Sequence, residues 1–109
     1  MEEIHTDAAP ASIGPFSQGI RDGDRLFVSG QGPVDPDSGE VVSEDIREQT
    51  AQTLENVSAI LDAGGSSLDR VVKSTVFVTD MSTYDAVNDV YAAQSRLRTS
   101  PSTSASRSK

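Results

Sequence analysis

The 109-residue sequence predicts a single α+β domain in which two helices pack on one face of a sheet. Three features predict this class. An Asp-Gly turn at residues 22–24 separates two apolar runs, a long amphipathic segment covers residues 44–61, and a run rich in β-branched residues covers 71–78. A hairpin followed by a helix, a strand and a second helix is typical of an α+β layout.

The amino-terminal half holds the predicted hairpin. Residues 3–6 predict a short first strand, and residues 18–21 and 26–29 predict two strands joined by the Asp-Gly turn. Asp-Gly favours a tight hairpin because glycine adopts backbone angles that other residues avoid. Gly and Pro predict a loop at residues 11–15 and a turn at residues 35–39.

Two helices are predicted on either side of the 71–78 strand. The first begins at Ser43 or Glu44 and ends at Gly64-Gly65, because glycine commonly follows the last helical turn. Its inward face carries residues at helical spacing, namely Ile46, Thr50, Thr53, Leu54, Val57, Ile60 and Leu61. Ser82 is the predicted N-cap of the second helix. That helix carries the apolar or aromatic residues Tyr84, Val87, Val90 and Tyr91.

Composition excludes several classes of function. Nine basic residues against 17 acidic ones give a net charge of −8, which argues against binding to nucleic acid or anionic membranes. The absence of cysteine excludes disulfides, thiolate metal sites and a cysteine nucleophile, and the single histidine, His5, is predicted to be an exposed surface residue. No apolar run is long enough to span a bilayer, and the acidic amino terminus does not resemble a signal peptide, so a cytoplasmic location is expected.

The acid excess also has a physical interpretation. Seventeen acids with only two lysines resemble a salt-adapted surface, on which high salt screens the repulsion between like charges. An ordinary acidic cytosolic protein is the alternative.

The charge pattern changes near Ala93. All 17 acids lie before this point, whereas residues 94–109 hold four basic residues, six serines and no acid. We therefore expect a domain over residues 1–93 and a disordered Ser/Arg-rich tail over residues 94–109.

The sequence contains parts of two common cofactor and metal motifs, but neither part continues with the residues that its motif requires. The Gly30-x-Gly32 pair lacks the third glycine of a dinucleotide-binding fingerprint, and Pro33 follows where a helix should begin. Asp35 and Asp37 resemble the start of a calcium loop, but the ligand series does not continue. No metal site and no cofactor are therefore expected.

Six collinear motifs between residue 4 and about residue 92 resemble the Rid family of reactive intermediate deaminases, also called L-PSP endoribonucleases. Each motif alone is weak, and together they are specific. They read IGPFSQ (13–18), LFVSGQ (26–31), DPDSGEVV (35–42), QTAQTLENV (49–57), VVKSTVFVTDM (71–81) and VNDVY (87–91).

This resemblance implies a chorismate-mutase-like α+β fold and a homotrimer with clefts between subunits. It implies hydrolysis of enamines and imines such as 2-aminoacrylate and 2-aminocrotonate to 2-keto acids and ammonia, without metal or cofactor. Phe16, Ser29, Gly30 and Asn88 are implied as substrate-binding residues. The structural alternatives are a packing aromatic for Phe16, a strand end for Ser29 and Gly30, and a polar helix residue for Asn88.

The carboxyl-terminal segment departs from the family pattern. The family's PARS and VEIEAIA segments, which supply a carboxylate-binding arginine, a water-orienting glutamate and two strands, have no match here. We therefore assign no catalytic residue, and expect missing C-terminal strands, a weakened trimer and little or no hydrolysis. The alternatives are a non-catalytic ligand- or protein-binding member of the fold, or an inactive truncated or frame-shifted fragment.

Overall fold

The computed structural model describes residues 1–12, 17–71, 73–78, 81–95 and 102–107. Three strands, β1 (Glu2–Ile4), β2 (Gly19–Asp22) and β3 (Arg25–Val28), form an antiparallel sheet in the order β1-β2-β3. The predicted hairpin is confirmed, with strand bounds that differ by one or two residues. Gly23 has a φ of 64° in the turn, a backbone angle that glycine adopts without steric cost.

The first predicted helix is helix α1 (Ile46–Ala63). It begins after the predicted Ser43 or Glu44, because the Asp45 side chain accepts a hydrogen bond from the backbone N–H of Arg47 and acts as N-cap. The predicted glycine stop is confirmed: Gly65 has a φ of 82°. The N–H groups of Gly65 and Ser66 donate to the carbonyls of Asp62 and Leu61, a Schellman ending that satisfies the last carbonyls of the helix.

Helix α1 packs on one face of the sheet. Ile60 is 1% exposed and joins Ile4 and Ala9 in a buried cluster, against which Leu26 and Val28 of β3 also pack. Side chains alternate between the faces of a strand, so Phe27 lies on the opposite face, where it is 58% exposed. The α+β class is confirmed, with one sheet face covered by α1 and an opposite face that the described residues leave open at Phe27.

The second half of the chain contains β4 (Lys73–Val78), a 3-10 turn (Met81–Thr83) and α2 (Tyr84–Ser95). Ser82 was predicted as the N-cap of this helix but lies within the 3-10 turn, so the α-helix begins one residue later than predicted. Val87 of α2 is buried, and α2 packs against α1. The Arg47 guanidinium lies 3.2 Å from the Asp89 carboxylate and links the two helices at the surface.

The carboxyl-terminal segment contains one strand within the residues that were predicted as a disordered tail. Helix α2 continues past the predicted boundary at Ala93 to Ser95, and residues Ser102–Arg107 form β5, which pairs in parallel with β4. The α2 helix supplies the crossover that parallel pairing requires. The composition of residues 102–107 did not predict a strand. Pairing with β4 uses backbone N–H and C=O groups, so it does not depend on the side chains of β5. The rest of the predicted tail lies outside the described residues.

No helix among the described residues is long and apolar enough to cross a membrane.

Candidate functional site

A cleft of about 410 Å³ lies beside the end of β3. One wall consists of residues 10–12, and the other consists of residues 29–32 together with Val34. The described side chains of this lining carry no charge; their polar groups are the hydroxyls of Ser12 and Ser29 and the amide of Gln31. A concave site of this volume with a few fixed polar groups suits a small organic molecule.

Ser29 stands where β3 meets the cleft. Its backbone N–H donates to the carbonyl of Gln18 at 2.9 Å, and its hydroxyl donates to the carbonyl of Ser17 at 2.6 Å. The hydroxyl of Ser17 in turn donates to a carboxylate oxygen of Glu3 at 2.6 Å. These bonds fix Ser29 at the end of the sheet while its side chain stays exposed.

Gly30 follows Ser29 and leaves the cleft open. A Cβ atom at Gly30 would meet no heavy atom within 4 Å, and the residue is exposed. The glycine therefore keeps its backbone accessible to a ligand at this point of the wall.

The four residues implied as substrate-binding have different outcomes in the structure. Ser29 and Gly30 both line the cleft, whereas Asn88 lies exposed on α2 and is not part of the lining. Phe16 lies outside the described residues. The substrate-binding role of all four stays a prediction.

A buried side-chain amide on helix α1 forms hydrogen bonds to the wall of residues 29–34. The Asn56 side chain is fully buried, and its Nδ2 donates to the carbonyl oxygens of Gly32 at 3.1 Å and Val34 at 2.9 Å. Its Oδ1 accepts a bond from Gln52 Nε2 at 2.9 Å. All the hydrogens of this amide are therefore used to hold the cleft wall.

A second buried side-chain amide forms a hydrogen bond to the opposite wall. Gln18 is 2% exposed; its Nε2 donates to the carbonyls of Thr6 at 3.0 Å and Pro10 at 2.9 Å, with the Ala9 carbonyl at 3.3 Å. Its Oε1 accepts from the Thr6 N–H at 2.7 Å. Pro10 begins the wall of residues 10–12, so Gln18 fixes the start of that wall.

Sequence reasoning did not assign a site role to Gln18 or Asn56. Asn56 adjoins the apolar face of α1, between Leu54 and Val57, and a short amide at such a place is a signal of a buried polar contact. Gln18 gives no comparable signal, because its partners are backbone carbonyls 8 to 12 residues away.

No group of three or more histidine, aspartate or glutamate side chains within the described residues is placed to hold a metal ion.

Comparisons with known proteins agree with this architecture. The family described as Endoribonuclease L-PSP matches residues 6–108. A RutC family protein of Pyrococcus horikoshii is 52% identical over 91 residues, which cover 84% of this chain and 72% of that protein. The 2-iminobutanoate/2-iminopropanoate deaminase of Salmonella typhimurium is 48% identical over 90 residues, which cover 83% of this chain and 70% of the enzyme.

Solved structures show the same fold. TdcF of Escherichia coli, solved with bound serine, superposes with a TM-score of 0.92 at 38% identity, and the match covers 99% of this chain and 86% of that one. The sequence motifs, the fold and these matches agree, and this chain belongs to the endoribonuclease L-PSP family, which is also the Rid family of reactive intermediate deaminases.

Proposed function

We propose that the cleft beside Ser29 and Gly30 is the imine-deaminase site of this chain, that it binds small 2-imino acids, and that turnover by the chain is low. The observation that carries this proposal is the position of Ser29 and Gly30 in one wall of a cleft of about 410 Å³. The name of the Salmonella relative supports the substrate class, 2-iminobutanoate and 2-iminopropanoate.

The proposed reaction is the hydrolysis of a C=N bond. Water adds to the carbon of the C=N bond, and the resulting carbinolamine loses ammonia to leave a 2-keto acid. An enzyme accelerates this step by orienting the water, by moving protons and by neutralising the substrate carboxylate. The described walls contribute neutral hydroxyl, amide and backbone groups and no charged side chain that would neutralise the substrate carboxylate.

Binding without hydrolysis is a second candidate, and the uncharged lining of the described walls favours it. A coupled assay separates the two candidates: a threonine or serine dehydratase generates the enamine, and 2-keto acid formation is followed with and without this protein. We expect a rate per chain about thirty- to several-thousand-fold below that of the Salmonella deaminase, the effect of one missing charge-assisted contact. A rate equal to that of the relative would contradict the low turnover.

We also propose that this chain self-associates through the open face of its sheet, in a trimer that is marginal. The proposal is supported by Phe27, which is 58% exposed, and by Ile20, which lies directly opposite it on β2. Asn88 is then proposed to complete the cleft of a neighbouring subunit. Size-exclusion chromatography with light scattering measures the oligomeric state. We expect the wild-type protein to be a mixture of states and Phe27→Ser to shift it to monomer. A sharp trimer peak for both the wild-type protein and the variant would contradict the proposal.

Ribonuclease activity is not part of the proposal, although the family description contains that word. Binding to an RNA backbone depends on positive charge, and the chain has 17 acidic residues against nine basic ones. The cytoplasmic location expected from the sequence stays a prediction.

A further inference from the structure

Only two polar side chains are buried among those that the structure describes, and both face the cleft walls. Asn56 has no exposed surface and Gln18 has 2%. Burying an amide is unfavourable unless its donors and acceptors are paired, so each buried amide needs a compensating set of partners. The identity of those partners indicates what the amide does.

The partners of Asn56 are two carbonyl groups of one cleft wall. Gly32 and Val34 flank Pro33, and a single Nδ2 group binds the carbonyl before and the carbonyl after that proline. An apolar side chain of the same size would leave both carbonyls without this donor. The amide therefore fixes the path of the wall rather than filling space.

The partners of Gln18 lie in the segment that leads into the wall of residues 10–12 and at the end of β3. Its side chain binds the backbone of Thr6 and the carbonyl of Pro10, and its own carbonyl accepts the N–H of Ser29 at 2.9 Å. One residue thus ties the segment of residues 6–10 to the start of the opposite wall.

We propose that Asn56 and Gln18 are positioning residues that set the width and shape of the cleft from the two sides. Neither touches the ligand; each acts through the backbone that it holds. The ligand-affinity part of this proposal rests on the proposed function, whereas the placement of the walls does not.

Asn56→Asp is the sharpest test, because a carboxylate has nearly the same shape but cannot donate to the two carbonyls. We expect the affinity of the folded variant for 2-ketobutyrate, the stable product of 2-iminobutanoate hydrolysis, to fall about tenfold. Lowering the pH should restore part of it, since a protonated acid regains one donor. Leu61→Ala, which opens a cavity elsewhere under α1, is the control and should keep affinity within about twofold despite its lower melting temperature.

A second readout needs no ligand. Amide NMR shifts of free Asn56→Asp should change mainly in residues 30–34 and at Val42, whose N–H binds the Pro33 carbonyl, and Gln18→Glu should change residues 6–12 and 29. If wild-type protein does not bind 2-ketobutyrate, the proposed function fails and these shifts alone decide the positioning roles. If Asn56→Asp does not fold, Asn56→Leu, which removes the donor to both carbonyls with a side chain of similar size, takes its place. The proposal would be overturned if the variants left the amide shifts of the wall residues unchanged, or if they changed shifts evenly over the chain. If the wild-type protein binds 2-ketobutyrate, an Asn56→Asp affinity within twofold of the wild-type value would also overturn it.

Discussion

The Ser29 hydroxyl donates its proton to the carbonyl oxygen of Ser17 at 2.6 Å. Because a serine hydroxyl has one proton, the Ser29 oxygen then faces a ligand as an acceptor. A protonated imine or amine nitrogen can donate to this oxygen, whereas the keto oxygen of the product cannot. The geometry therefore favours the nitrogen-bearing substrate over its keto product at this position.

Ser29→Ala tests this preference. We expect the variant to lose about 0.5–1.5 kcal/mol of binding free energy for 2-aminobutanoate, whose nitrogen can donate, through loss of one neutral hydrogen bond. Affinity for 2-ketobutyrate should change less than about twofold. Calorimetric titration of both ligands measures the difference. Ser38→Ala, which removes an exposed hydroxyl from the 35–39 turn, is the matched control, and equal losses for the two ligands would disprove the acceptor role.

Gly19 provides a test of the fold rather than the site. A Cβ atom there would lie 3.1 Å from Cγ2 of Ile60 and 3.2 Å from the carbonyl oxygen of Phe27, so alanine would require these neighbours to shift by a few tenths of an ångström. We expect Gly19→Ala to lower the free energy of unfolding by about 1–3 kcal/mol, measured by denaturant titration. Gly30→Ala, where a Cβ meets nothing within 4 Å, should stay within about 0.5 kcal/mol. Equal stability of the two variants would contradict the packing of α1 on β2.

The ion pair between Arg47 and Asp89 links α1 to α2, but both side chains are more than half exposed. Water screens such a pair, so a double-mutant cycle with Arg47→Ala and Asp89→Ala should give a coupling of about 0.2–1 kcal/mol. The coupling should shrink further in molar salt. A larger, salt-insensitive value would mean that the helices are held by this pair rather than by their packing.

The surplus of acidic over basic residues predicts an unusual response to salt. Screening should weaken the repulsion between carboxylates, so the melting midpoint followed by circular dichroism should rise from low to molar NaCl. Replacing the exposed Glu40 and Glu44 by glutamine should make the rise shallower. A flat or falling midpoint would leave the ordinary acidic protein as the better interpretation.

Much of the fold could be predicted because local rules set it. The Asp22-Gly23 turn and the Gly64-Gly65 helix stop depend on backbone angles that glycine alone adopts easily, and both were placed correctly. Strand β5 could not be predicted from its serines, since its pairing with β4 uses backbone groups.

The site was less predictable for a related reason. Ser29 and Gly30 were identified only through the family resemblance. They lie in a cleft because residues 10–12, which are distant in sequence, form the opposite wall. The role of Asn56 depends on carbonyls 22 and 24 residues away. Periodicity identifies the apolar face of a helix but not which loop will lie against its one buried amide.

Titration of 2-ketobutyrate into wild-type protein and into Gly30→Ala, followed by amide NMR, tests the central claim most directly. We expect saturable shifts at Ser29, Gly30 and Gln31 in the wild-type protein and a clear loss of affinity in Gly30→Ala, because the variant adds a methyl group to a lining residue at a point where it meets no other protein atom within 4 Å. An absence of saturable shifts in the wild-type protein, or the same affinity in the variant, would contradict the assignment of this cleft as the binding site.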